Sequence, residues 1–321
     1  MNHSESRRRV LGACLGVTAA SSGLLSAGAA WAQSKYPGRP IEFVVPWGAG
    51  GGADQLARKI GKMLEDDLKV SFPVVNVAGA TGNTGMTKLL TAAADGYSMG
   101  ILIGDTLATL SSGGGARWKL DEIVPLGIMI RQPTGLFVKT DSKWKTFQDL
   151  LNDSKTNEVK VAILGFGSAD EIMVKQMMAK GHKFRLVPFA KPGERYASIL
   201  GGHADVLMEQ AGDVGSFLKS NQMRPVAFFA DAPAPGYKDI PLVKNSGFTI
   251  NISQFRAIVM RAGTDPAQVK VLSAAIEKAA QSKEFKEYLA EELAFADSFI
   301  AQKDSAAFLQ RELKAIEANK A

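Results

Sequence analysis

The chain has 321 residues, 46% of them hydrophobic, with no low-complexity tract and no internal repeat. That is enough for about two globular domains and excludes a disordered or fibrous protein. Arg7, Arg8 and Arg9 against Glu5 give the first 32 residues +2 of the formal +6, and the remaining charges are interspersed with no basic stripe among aromatics, which argues against a nucleic-acid partner.

The first element is an address label. Ser6-Arg7-Arg8-Arg9-Val10-Leu11 is a twin-arginine start, a weakly apolar run follows to Ala30, and Ala30-Trp31-Ala32 has the small-x-small form of a cleavage site before Gln33. Gly12, Gly16, Gly23 and Gly28 disfavour a first helix of the mature protein. The run is also too weakly apolar for a membrane anchor. Leu11-Gly12-Ala13-Cys14 resembles an acylation site but stands too close to Arg9 to leave room for an apolar segment. Residues 1–32 therefore read as an export leader. Cys14 is the only cysteine, so the exported chain would hold no thiol, disulfide or thiolate metal site.

Ile41 to Val45 predicts a strand. From Asp54 the period changes, with Leu56, Ala57, Ile60, Met63 and Leu64 on one helical face. Val74 to Val77 is a second strand, Gly79 to Gly85 a glycine-rich loop, and Met86, Leu89, Leu90 and Ala93 mark a second helix. Asp95-Gly96 is a turn and Met99 to Ile103 a third strand. This β-α-β-α-β order predicts a parallel sheet flanked by helices. Ser111 to Gly115 is a loop, and Val124 to Ile130 and Leu136 to Val138 are strands around Gln132-Pro133. A fresh α/β unit then begins: helix 147–151, strand 159–164, the small-residue loop Gly165 to Ser168, helix 170–180, strand 184–187, helix 196–200 and strand 204–208. Helices follow over 269–280, 285–292 and 305–318, with no sign of which half they cover.

Two glycine loops follow strands and open helices. Gly48, Gly50 and Ala53 fit G-x-G-x-x-[G/A], the dinucleotide fingerprint, and leave an exported dinucleotide-dependent oxidoreductase as the alternative function. Against it, Asn76 stands near the place of the ribose-binding acid, and Pro46 and Trp47 precede the first glycine. The same physics suits a smaller anion. First-turn N–H groups are unpaired and partly positive, and glycines let a ligand approach them. Thr81, Asn83 and Thr84 add side-chain donors, and neither loop contains Arg or Lys. At carboxyl ends of neighbouring strands both loops would face one ligand. The second loop reads equally as a plain helix cap.

Gly165-Phe166-Gly167-Ser168 is a third loop opening a helix, where Ser168 either caps or donates to a ligand. Lys191, after the next strand, either pairs with a second carboxylate or is solvated. His182, in a charged helix end, and His203, in a turn, read as solvated. No G-x-S-x-G or H-E-x-x-H occurs, so neither a hydrolase nor a transition-metal site is expected, and no cofactor is called for.

Several segments together carry a resemblance: Tyr36-Pro37-Gly38-Arg39-Pro40-Ile41, Val45 to Asp54, Gly82-Asn83-Thr84-Gly85, Asp95-Gly96-Tyr97 and Leu200-Gly201-Gly202-His203-Ala204-Asp205. Their order and spacing resemble the Bug-type solute receptors of tripartite tricarboxylate transporters, over nearly the whole chain from residue 35. The resemblance implies an α/β, two-lobed periplasmic-binding-protein fold of type II, the Venus flytrap, each lobe a mostly parallel sheet flanked by helices. It implies a periplasmic monomer that binds a small carboxylate without catalysis and hands it to a membrane permease.

Carried over by position, the proximal carboxylate would meet Trp47, Gly48, Ala49, Gly50, Gly51, Gly52 and Ala53, with Ala80, Thr81, Gly82 and Asn83. The distal side would come from Gly167, Ser168, Ala169, Asp170, Phe189, Lys191 and Glu209. Lobe 1 would comprise 33–130 and 254–321, and lobe 2 131–253, with a hinge near 130 and 253. The family's usual Phe-Pro and Thr in the first loop are here Trp47, Gly48 and Ala53, and its Arg-Pro is absent from the second. Trp47 either stacks on an aromatic ligand or walls the pocket. Asp170 and Glu209 either repel a second carboxylate or receive an amino or hydroxyl group.

Overall fold

The computed structural model describes residues 36–319 apart from 114 and 251. The expected export leader, with Cys14, lies outside the described residues.

Apolar β-branched runs become buried strands and the glycine loops after them become helix starts. In chain order these are β1 (Glu42–Val45), α1 (Gly52–Leu68), β2 (Val74–Asn76), α2 (Asn83–Thr91), β3 (Ser98–Ile103) and α3 (Gly104–Ala108). Two crossing strands follow, β4 (Ile123–Gln132) and β5 (Thr134–Lys139). The second unit is α4 (Phe147–Ser154), β6 (Val159–Ile163), α5 (Ala169–Ala179), β7 (Phe184–Pro188), α6 (Pro192–Leu200), β8 (Val206–Gln210), α7 (Gly215–Lys219) and β9 (Met223–Phe229). The chain returns through β10 (Gln254–Arg261) and ends in α8 (Pro266–Gln281), α9 (Lys283–Glu291), β11 (Ile300–Ala301) and α10 (Gln302–Ala318).

The strands form two sheets, in the orders β11-β4-β10-β3-β1-β2 and β7-β6-β8-β5-β9. Both are mixed rather than mostly parallel. The βαβ units pair in parallel, β1 with β2 and β3, and β6 with β7 and β8. Strands that pass between the sheets come back antiparallel: β10 against β3 and β4, and β5 against β8 and β9. A chain that leaves a sheet and re-enters it beside its own exit must reverse direction, and a βαβ pattern cannot reveal that.

The two passages between sheets lie at Pro133 and in the segment before Gln254. The C-terminal helices cover the first sheet: α8 packs on α1 and β4, α9 on α8, and α10 on β4. Helix starts follow their caps. Ser168 Oγ accepts the Glu171 N–H at 3.1 Å at the start of α5, and Pro192 occupies the first turn of α6, four residues before the apolar pattern begins.

Candidate functional site

The first loop is shaped by its own side chains. Asp54 accepts the Gly50 N–H at 3.0 Å and holds Arg58 through two bonds, while Asn76 donates to the Trp47 carbonyl at 3.0 Å. Burial pushes the Asp54 carboxyl up, but Arg58 and the Gly50 N–H outweigh it and hold it below its usual range. The loop therefore presents Gly51 as the N-cap of α1 with no side chain capping it. The N–H groups of Gly52, Ala53 and Asp54 have no partner within the helix by geometry.

The second and third loops meet each other and close the seam between lobes. Thr81 Oγ1 donates to the Phe166 carbonyl at 2.7 Å, and Ser112 Oγ donates to the Gly167 carbonyl at 2.6 Å. Ala80 and Thr81 both take left-handed backbone, with φ of 47° and 53°. That is a costly conformation for a β-branched residue, of a kind that clusters at functional sites. Asn83 is fully engaged, donating to the Ala80 carbonyl and accepting from Trp118 Nε1 at 2.7 Å and from Thr109.

Behind this seam two acids face each other. The Asp170 N–H, on α5, donates to Asp105 Oδ1, on α3, at 3.3 Å, and both side chains are buried. Burial pushes Asp105 up to about 6, against the pull of the Asp170 N–H, with Glu209 pushing the same way. Burial and then Asp105 push Asp170 well above the ordinary carboxylate range.

The cavity lies beside these contacts. It is walled by Trp47, Gly51, Gly52 and Ala53 from the first loop, by Pro192, Arg195, Tyr196, Glu209 and Asp213 from the second lobe, and by Gln132, Gln254 and Arg256 from the crossing strands. Its volume is about 40 Å³, room for roughly three waters. Trp47 Nε1, Arg195 Nε, Tyr196 OH and Gln254 Nε2 are buried without a hydrogen-bond partner, and all four residues line it. Arg195 pairs with Glu209, and Arg256 pairs with Asp213 at 2.5 Å and Glu292 at 2.9 Å. Uncapped helix N–H groups and unpartnered side-chain donors thus converge on one small space, which suits a ligand rich in acceptors.

Comparison with known proteins decides the family. The sequence model described as "Tripartite tricarboxylate transporter family receptor" matches residues 56–318. The chain belongs to this receptor family. It is 27% identical over 280 residues to Protein BugT of Bordetella pertussis, covering 84% of each chain. A TctC solute-binding protein from Polaromonas, solved without ligand, is 26% identical with a TM-score of 0.64, over 88% of this chain and 98% of that one. MatC from Rhodopseudomonas palustris, solved with bound malate, has the same fold, with a TM-score of 0.81 at 20% identity, over 88% of this chain and 99% of that one. The chain is therefore a solute receptor of the periplasmic-binding-protein fold, and the oxidoreductase alternative has no support. Asn76, where a ribose-binding acid would stand, is committed to the Trp47 carbonyl.

The receptor brings Trp47, Gly51, Gly52, Ala53 and Glu209 to one cavity. Gly48 lies against Pro192, and Ala49 and Gly50 are exposed at the loop's outer edge. Ala80, Thr81, Gly82 and Asn83 do not line the cavity, nor do Gly167, Ser168, Ala169, Asp170, Phe189 and Lys191. Ser168 caps α5, and Lys191 is exposed and paired with Glu194. Glu209 is spent on Arg195, and burial raises its carboxyl all the same. His182 is not solvated: it is buried, 2.9 Å from Ser154 Oγ, against Phe184 and Phe248. Arg195, Tyr196, Asp213, Gln254 and Arg256 were absent from the expected site. Arg256 and Gln254 sit in the apolar run 254–260, where charged and amide side chains inside a strand were the available signal.

Proposed function

We propose that this receptor binds a small organic carboxylate in the cavity between its lobes, with the acid group on the first turn of α1. The observation that carries this is the convergence of the uncapped α1 N-terminus with the unpartnered donors of Trp47 and Arg195. Oxyanions bind at such helix starts through N–H groups and partial positive charge. In this reading residues 33–130 and 254–321 form one lobe and 131–253 the other, and they close about the crossings near Pro133 and Gln254. The first two loops and the third then act as the two jaws, with Thr81 and Ser112 as latches. The leader is removed near Ala32-Gln33 after twin-arginine export, the mature receptor works as a monomer without catalysis, and a tripartite-type membrane permease takes the cargo. The binding of malate by MatC supports the ligand class.

The test is a thermal-shift screen of the mature chain against malate, adipate, citrate and benzoate. A true cargo at about a hundred times its Kd stabilises by about 2.7 kcal/mol, several degrees of melting temperature. A panel in which no acid raises the melting temperature would overturn the reading.

A further inference from the structure

Asp213 stands out among the charged groups at the cavity. It belongs to the connection after β8, in the second lobe, yet it meets Arg256 of β10 at 2.5 Å. Both side chains are buried, at 6% and 5% exposure. Its carboxylate also lies against Gly52, the first residue of α1. A Cβ built on Gly52 would stand 2.2 Å from Asp213 Oδ1 and 2.0 Å from Arg256 Nη2. A carboxylate of the chain itself thus occupies the place where the uncapped α1 start and a guanidinium converge.

We propose that Asp213 is a tethered stand-in for the cargo's acid group, and that Arg256 is the cargo-binding guanidinium that the incoming carboxylate takes over as Asp213 withdraws. The proposal rests on the carboxylate-receptor reading above. Charge favours exchange over addition. Arg256 already faces two acids, Asp213 and Glu292, so a third carboxylate beside them would be buried without a countercharge. Exchange leaves the count unchanged, and Glu292 keeps Arg256 in place during it. Volume favours exchange too. The cavity holds about 40 Å³, roughly three waters, which is too little for an acid of malate's nine heavy atoms, so cargo of that size needs the space Asp213 fills. The tether explains the glycine as well, because no larger residue at position 52 leaves room for both side chains.

The test is Asp213→Asn, which keeps the shape and an oxygen for Arg256 but gives up the charge. Calorimetry at pH 8 would use the acid from the malate, adipate, citrate and benzoate panel that binds best. The variant should bind it about tenfold more tightly than wild type, the scale of one charge-assisted bond no longer competing. Equal or weaker binding by a folded variant overturns the proposal and leaves the receptor reading intact. Binding by neither protein overturns both. Should the variant not fold, a crystal structure of wild type with the acid decides. Cargo on Arg256 with Asp213 moved away supports the exchange, and Asp213 still on Arg256 overturns it.

Discussion

Gly52→Ala tests how closely Arg256 and its acids pack on the first turn of α1. Gly52 opens α1 with ordinary helical backbone, where alanine is the better helix former by up to about 1 kcal/mol. The methyl would sit 2.0 Å from Arg256 Nη2 and 2.3 Å from Arg256 Cζ, both in the same lobe as Gly52, and 2.2 Å from Asp213 Oδ1, in the other. The guanidinium and the carboxylate, or a cargo acid in its place, must then retreat by more than an ångström. Disrupting a buried ion pair costs about 3–5 kcal/mol, and each 1.4 kcal/mol or so is tenfold in affinity. Carboxylate affinity by calorimetry should therefore fall at least about a hundredfold, and the ligand-free melting temperature should fall as well, because the same ion pair packs there without cargo. Gly193→Ala is the matched control, since a Cβ there meets nothing within 4 Å. Affinity like wild type in Gly52→Ala would refute the claim that Arg256 and an acid pack against the first turn of α1.

Three further outcomes follow from buried groups. Asp105 faces Asp170, Arg195 and Glu209, and burial lifts it from 3.8 to about 6, so its ionisation destabilises the folded state as pH rises from about 4 to 6. Asp105→Asn, whose oxygen still accepts the Asp170 N–H, should gain about 3 kcal/mol in urea melts at pH 8, from a lift of about two units, and about half that at pH 5. Trp47→Phe removes a buried donor without a partner; calorimetry should show about a fivefold loss of carboxylate affinity, from one hydrogen bond of about 1 kcal/mol, with the ligand-free melting temperature little changed. Burial lowers the pKa of His182, which stays neutral in the fold and takes a proton on unfolding, so its stabilisation is lost as pH falls below 6.5. In His182→Asn, which keeps a polar group facing Ser154 Oγ, melting temperature should fall less steeply between pH 7 and 5 than in wild type.

Much of the local structure was legible because it is written locally. The 2.0 and 3.6 periods located β1 through β3, α1 and α2, and the glycine loops announced where helices begin. What the periods could not carry is direction. β9 and β10 are short apolar runs, Met223–Phe229 and Gln254–Arg261, and nothing within them says that they join two different sheets antiparallel to their neighbours. The strand FRAIVM within β10 reads as core, and the arginine inside it reads as an edge residue until the fold shows it 4% exposed beside two acids.

The candidate site divides along the same line. That the first loop lines the cavity was legible because glycines next to a helix start leave its N–H groups open, and Gly51 and Gly52 are adjacent in sequence. Charged partners need no such adjacency. Arg256 lies 43 residues from Asp213 and 36 from Glu292, and Arg195 14 from Glu209. Each arginine alone looks like a solvated cation, and each acid alone looks like a source of repulsion for an acidic cargo. Arg195 and Glu209 cancel within the second lobe and Arg256 and Glu292 within the first, while Asp213 alone reaches Arg256 across the cleft, so the two glycine loops hold no basic residue and the cleft nevertheless holds two guanidiniums. The second loop meets the third loop rather than the cavity for the converse reason. Its donors, Thr81 and Asn83, are of the right type for a ligand, but a left-handed turn aims Thr81 at the Phe166 carbonyl, so the same chemistry that would grip cargo grips the opposite jaw. The seam and the cavity thus draw on similar chemistry from different loops: Thr81 of the second loop holds the third loop, while the first loop lines the cavity.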